Sequence, residues 1–142
     1  MNYSQLVQLY FERSNALQWY WTLYVVVIGG VLAFSSMRQR RSFITTLLVS
    51  ILYGCFAYKN LGAIHDVTMQ RYAVLETIRN YAPKGNEATD VMPVRATLEP
   101  RLVAPDYGGI RSFHVTCDVL TIAALWAMER RRSRKIAVPV PV

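Results

Sequence analysis

The chain has 142 residues, 53% of them hydrophobic, and a formal charge of +7. That length holds one domain, and a soluble domain is usually less apolar. Two cysteines, Cys55 and Cys117, lie in apolar runs and form neither a disulfide framework nor a metal-type spacing, so they say nothing about redox compartment.

Residues 1–18 place Tyr3, Leu6, Tyr10 and Leu17 near helical spacing, which predicts an amphipathic helix that lies at a membrane interface or continues into the next segment. Residues 19–36, WYWTLYVVVIGGVLAFSS, contain no charge. At about 1.5 Å per residue they span a hydrocarbon core of roughly 30 Å with little tilt. Trp19, Tyr20, Trp21 and Tyr24 read as an aromatic belt at the outer boundary. VLA at 31–33 has the small residues of a peptidase site, but the region before the apolar run is long and not basic while the arginines follow it. That order favours an uncleaved span.

Residues 37–42 hold Arg38, Arg40 and Arg41 without an acid. A second apolar run, 43–64, carries one charge, Lys59, near its far end. Ile64, Val67, Leu75 and Ile78 keep a helical pattern beyond it, predicting one long helix that Pro83 ends. From 83 to 109 the prolines Pro83, Pro93, Pro100 and Pro105 and the Gly108-Gly109 pair predict an irregular chain. The third apolar run, 112–128, contains His114 and Asp118. In the basic tail, 129–142, Arg130, Arg131, Arg132, Arg134 and Lys135 face the single Glu129, and AVPVPV resembles a short polyproline II tail.

Charge sets the threading. The two basic clusters, at 37–42 and 129–142, belong on the cytoplasmic side. Residues 1–18 and the charge-balanced segment 65–111 then lie outside, as an odd number of spans requires. The expected fold is an all-α membrane protein with three transmembrane helices, an N-terminal amphipathic helix and a partly helical, Pro-rich extracytoplasmic segment. The clean asymmetry suits a bacterial inner membrane.

An ionisable group within a span is costly and ordinarily faces a partner or a water-filled cavity. His114 precedes Asp118 by four residues, so the two share a helix face that Thr121 or Ile122 continues. Lys59 falls at comparable depth and is a candidate third member. The cluster reads as a proton or ion relay or as a structural ion pair that fixes helix register, and the structural reading is favoured. One His and one Asp are too few to hold a metal. Gly29 and Ala33, and Ser50, Gly54 and Ala57, are small residues at helix-packing spacing, expected to let helices of this chain approach closely, with a second subunit as the alternative.

ERRRSRK, directly after a span, reads as a topology anchor whose arginines, with Arg38, Arg40 and Arg41, contact anionic lipid headgroups rather than nucleic acid. The chain has no phosphate-binding glycine loop, HExxH or nucleophile elbow, and Ser112 and His114 at a helix start read as capping. No cofactor is expected. The partners expected are the bilayer and other membrane subunits, or further copies of the chain. The expected function is a non-enzymatic accessory, scaffold or assembly subunit of a membrane complex. The alternative is a homo-oligomeric channel or membrane-disrupting effector with Asp118 and His114 lining a pore.

Overall fold

A computed structural model describes residues 2–83, 87–103 and 106–136, with the backbone alone at 87–90 and 133–136. The described residues are helical, with no strand among them: α1 (Tyr3–Met37), α2 (Phe43–Arg79), α3 (Glu87–Leu98), a 3-10 turn (Glu99–Arg101) and α4 (Tyr107–Ile136). Two of these helices, Tyr3–Met37 and Phe43–Arg79, are long and apolar enough to cross a membrane. The tail AVPVPV, 137–142, lies outside the described residues.

The start of α1 is fixed by Asn2. Its Oδ1 accepts from the Gln5 backbone N–H at 3.0 Å, and Gln5 Oε1 accepts from the Asn2 N–H at 3.0 Å. This reciprocal capping satisfies donors that the first helical turn otherwise leaves unpaired. The helix then runs unbroken, so the amphipathic N-terminal segment continues into the first apolar run rather than forming a separate helix. Ser42 starts α2, its Oγ accepting from the Thr45 backbone N–H at 3.3 Å. From there α2 extends without interruption to Arg79.

Two expectations are corrected here. The stretch 83–109 is not irregular throughout, because α3 forms within it and carries Pro93 in its interior. An interior proline costs about 3 kcal/mol through its missing N–H and its ring clash. Tertiary ties offset that cost: Arg95 on α3 donates to the carbonyls of Tyr81 (2.8 Å) and Arg79 and pairs with Glu99 at 2.7 Å. These bonds satisfy carbonyls at the C-terminal end of α2 while holding α3 against it. The third long helix also begins at Tyr107, so Gly108 and Gly109 belong to its first turn, and Ser112 and His114 sit inside it rather than at a capped start.

The chain divides into two compact units. Unit 1 comprises Met1–Tyr20 and Ala63–Tyr107. Its core packs Tyr3, Leu6 and Tyr10 of α1 against Leu75 and Ile78 of α2 and Leu102 beyond the 3-10 turn, flanked by Val7, Val74, Tyr81 and Val91. Each large side chain withdrawn from water contributes about 1.5–3 kcal/mol, so this unit rests on few residues. Arg71 is buried among them. Its Nη2 donates to the Tyr10 hydroxyl at 2.9 Å, and its guanidinium lies 5.0 Å from the centre of the Tyr10 ring.

Unit 2 comprises Trp21–Gly62 and Gly108–Val142. Polar side chains lie inside it: Ser35, Thr46, Asn60, His114, Thr121 and Glu129 are buried, together with Tyr24 and Tyr53. Large apolar ones lie outside, among them Val25, Val26, Ile44, Leu48, Ile51, Leu52, Phe113, Val119 and Leu120.

Candidate functional site

Burial along the helices recurs every seven residues. On α1 the buried positions include Tyr3, Tyr10, Leu17 and Tyr24, and on α2 they form two rows, Thr46–Tyr53–Asn60–Val67 and Ala57–Ile64–Arg71–Ile78. A seven-residue repeat is the seam of helices packed knobs into holes. Within unit 2 that seam is polar, and it carries the hydrogen bonds described below.

Asp118 stands on the inward face of α4 and is the acceptor at the centre. Its Oδ1 accepts from the Tyr53 hydroxyl of α2 at 2.7 Å and from the Tyr24 hydroxyl of α1 at 2.8 Å. Its Oδ2 lies 2.9 Å from Nδ1 of His114, one turn earlier on α4. The other ring nitrogen of His114, Nε2, is 3.3 Å from Nδ2 of Asn60. The Nδ1–H tautomer satisfies both contacts, donating to Asp118 and accepting from Asn60. Tyr24 also reaches the His114 carbonyl at 3.1 Å, and its ring stacks on the imidazole with centroids 3.9 Å apart. His114 is fully buried, and the Asp118 side chain is 18% exposed. Three helices thus converge on one carboxylate.

Asp118 and His114 are therefore brought together, and Lys59 is not brought to them: it lies on the exposed face of α2. Its neighbour Asn60 takes the inward place. One residue turns a helix by about 100°, so equal depth did not imply equal direction. Tyr24, read as part of an aromatic belt, is 1% exposed and faces the acid, whereas Trp19 is 74% exposed.

A second network closes unit 2 at its basic end. Glu129 Oε1 accepts from the Ser42 backbone N–H at 2.9 Å. Its Oε2 accepts from Thr46 Oγ1 and Arg132 Nη1, each at 3.1 Å, and pairs with Arg38 Nη2 at 3.5 Å. Arg38 further donates to Thr46 Oγ1 and to the Ser42 carbonyl. Arg132 donates to the carbonyls of Arg38, at 2.8 Å, and Ser35, satisfying the C-terminal end of α1. Burial pushes the Glu129 carboxyl upward, but the bonds from Thr46, Ser42 and Arg132 and the charge of Arg38 outweigh it and hold the group below its ordinary value.

The arginines expected to reach lipid headgroups thus separate into two kinds. Arg38 and Arg132 are half-buried and bonded within unit 2, while Arg40, Arg41, Arg130 and Arg131 are exposed. The Arg134 side chain lies outside the described residues. Among the small residues, Ala57 is buried and the Ser50 hydroxyl donates to the Thr46 carbonyl at 2.8 Å. Gly29 and Ala33 are exposed, and a Cβ at Gly29 or Gly54 would meet nothing within 4 Å. Of these small residues Ala57 is thus buried, while Gly29 and Gly54 stand in open space.

Tyr53, Asn60, Ser42 and Thr46 are absent from the residues singled out in the sequence, and Tyr24 was read there only as part of an aromatic belt. The seven-residue spacing of Thr46, Tyr53 and Asn60 was the available signal, and a search for apolar runs passes over it because two of the three are polar. Chemically, both networks join helices through carboxylates surrounded by donors. Comparison of the chain with protein-family models, with curated proteins and with solved structures found no match.

Proposed function

We propose that the chain is an integral membrane protein with spans at 19–36, 43–64 and 112–128, serving as a non-enzymatic accessory, scaffold or assembly subunit of a membrane complex. The observation that carries this reading is the inverted polarity of unit 2. A core helix of a soluble protein is mostly buried, yet the apolar windows of α1 and α2 are only 11% and 22% buried. Hydrocarbon tolerates that exterior, and it demands that interior polar groups find partners within the protein. The third helix is less apolar because it carries His114 and Asp118. Both side chains turn inward to hydrogen-bond partners, while Phe113, Val115, Val119 and Leu120 face out.

Charge supports the orientation. Unit 1 holds six basic and seven acidic residues, whereas unit 2 holds ten basic and two acidic. The basic residues of unit 2 concentrate in the loop after α1 and at the end of α4, the two places expected on the cytoplasmic side of a bacterial inner membrane. Residues 1–18 and 65–111 then project outside. A non-enzymatic role is supported by the way the carboxylates and the imidazole in the interior of unit 2 are engaged in its own hydrogen bonds, although the buried Oδ1 of Asn60 has no partner among the described residues. Phe11, Met69, Tyr72, Met92 and Val94, exposed on unit 1, offer apolar contact area to other subunits.

Isolation of the full chain in mild detergent tests the assignment and is expected to recover other membrane polypeptides with it. A single-species symmetric oligomer that conducts ions in liposomes would replace it with a channel. Cysteines introduced at 83–109 are expected to react with impermeant reagents from the outer side, and labelling only from the cytoplasmic side refutes the orientation.

A further inference from the structure

At the basic end of unit 2, Ser36, Arg38, Gln39, Met128, Arg131 and Arg132 line an open hollow of about 540 Å3. Three guanidinium groups border it. The nearest carboxylate on their hydrogen-bond network is Glu129, and Arg38 and Arg132 already share it. Arg131 is exposed and has no hydrogen bond or ion pair among the described residues. Residues 37–42 and 130–135 contain no acid that could balance the excess. Among the described residues, about two positive charges in the hollow are therefore left without a counterion.

The surroundings narrow the class of anion. Met37, between Ser36 and Arg38 of the hollow in sequence, is 80% exposed; Phe43, four residues beyond Gln39, is 55% exposed, and its ring packs edge-on against Trp126 at 5.3 Å. A second hollow, lined by Ala123, Trp126, Ala127, Arg130 and Arg131, meets the first at Arg131. Guanidinium forks next to exposed apolar side chains and an indole match a phosphate that carries acyl chains. A free phosphate would leave the apolar rim without a role.

We propose that this hollow is a binding site for the phosphate of an anionic phospholipid, with Arg131 as its available donor and Arg38 and Arg132 as fixed positive walls. The proposal rests on the membrane reading and deepens it by naming a lipid partner. Because the lining residues come from the end of α1, the following loop and α4, an occupying phosphate ties together the elements that Glu129 already joins.

The full chain is reconstituted into phosphatidylcholine vesicles with or without a minority of phosphatidylglycerol, and thermal unfolding is followed. Phosphatidylglycerol is expected to raise the midpoint by about 3 °C or more. Arg131→Gln, an exposed position, should leave the midpoint in pure phosphatidylcholine unchanged and raise the half-effective fraction of phosphatidylglycerol roughly fivefold. Arg40→Gln, outside the hollow, should change it clearly less. An equal effect of the two variants, or no effect of phosphatidylglycerol on the parent, overturns the site. Inorganic phosphate that reproduces the rise in pure phosphatidylcholine overturns the lipid as its source. Carbonate extraction separates the two levels of argument: a chain washed off the vesicles refutes the membrane reading itself, whereas an embedded chain indifferent to phosphatidylglycerol refutes only the site.

Discussion

Unit 1 and unit 2 share α1 and α2 but are built by opposite rules. In unit 1, Leu6, Leu75, Ile78 and Leu102 are buried and most charges stay outside, so its cohesion comes from removing apolar surface from water. In unit 2, tyrosine hydroxyls, an imidazole, an amide and the Glu129 carboxylate are buried, with the partly exposed Asp118 carboxylate beside them, while valine, leucine, isoleucine and phenylalanine cover the exterior. Apolar burial cannot be the main source of cohesion there. What remains is close packing and hydrogen bonding, in which each donor lost leaves an acceptor stranded. Substitutions of similar size should therefore act differently in the two units.

The largest expected effect lies at the polar centre of unit 2. Asp118→Leu removes the acceptor shared by the Tyr24 and Tyr53 hydroxyls and the Nδ1 of His114, leaves Tyr24 only its bond to the His114 carbonyl, and is expected to cost about 3–5 kcal/mol, read as loss of thermal stability in detergent. Adding Tyr53→Phe removes a hydroxyl that has lost this acceptor and should recover part of the loss, while adding Lys59→Met should recover nothing. Recovery with Lys59→Met would show that the lysine, not the tyrosines, is the partner.

The exterior contrast comes next. Ile51→Asp places a charge on the apolar face of unit 2 and should cost roughly 2.5–3.5 kcal/mol of insertion, measured with a glycosylation or protease-protection reporter. Met69→Asp, on an exposed position of unit 1, should be close to neutral in the same assay. Similar penalties at both positions would erase the distinction between the two exteriors.

Arg95→Ala sharpens the account of unit 1. It withdraws donors from the Arg79 and Tyr81 carbonyls and should cost about 1–2 kcal/mol, confined to the end of α2 and to α3 and visible as faster amide exchange there.

The smallest effect is a pH dependence at Glu129. Its folded-state value lies below the ordinary 4.5, so its contribution is complete above about that pH and is lost as pH falls through the lower folded value. A melting midpoint that declines only on the acid side, and less steeply in Glu129→Gln, is the expected profile.

The helical periodicity was legible in the sequence wherever the buried face was apolar. Tyr3, Leu6, Tyr10 and Leu17 on α1, and Ile64, Val67, Leu75 and Ile78 on α2, were read from spacing and are buried. The pairing of His114 with Asp118 was also legible, because four residues along one helix set both depth and direction. Partners on other helices were not, since depth along a span says nothing about rotation around it, and Lys59 and Asn60 differ only in rotation. Pro93 misled for a related reason. A local breaking preference was outweighed by the bonds of Arg95, whose acceptors lie 14 and 16 residues earlier in the chain.

Within unit 2 the buried row Thr46–Tyr53–Asn60 keeps a strict seven-residue phase along α2. This makes the spacing between Tyr53 and Asn60 a quantised variable. One residue inserted between Tyr53 and Lys59 would turn Asn60 outward by about 100° and carry Lys59 into the place that Asn60 holds beside His114. A single added residue would thus exchange an amide for a cation at the polar centre without altering any side chain.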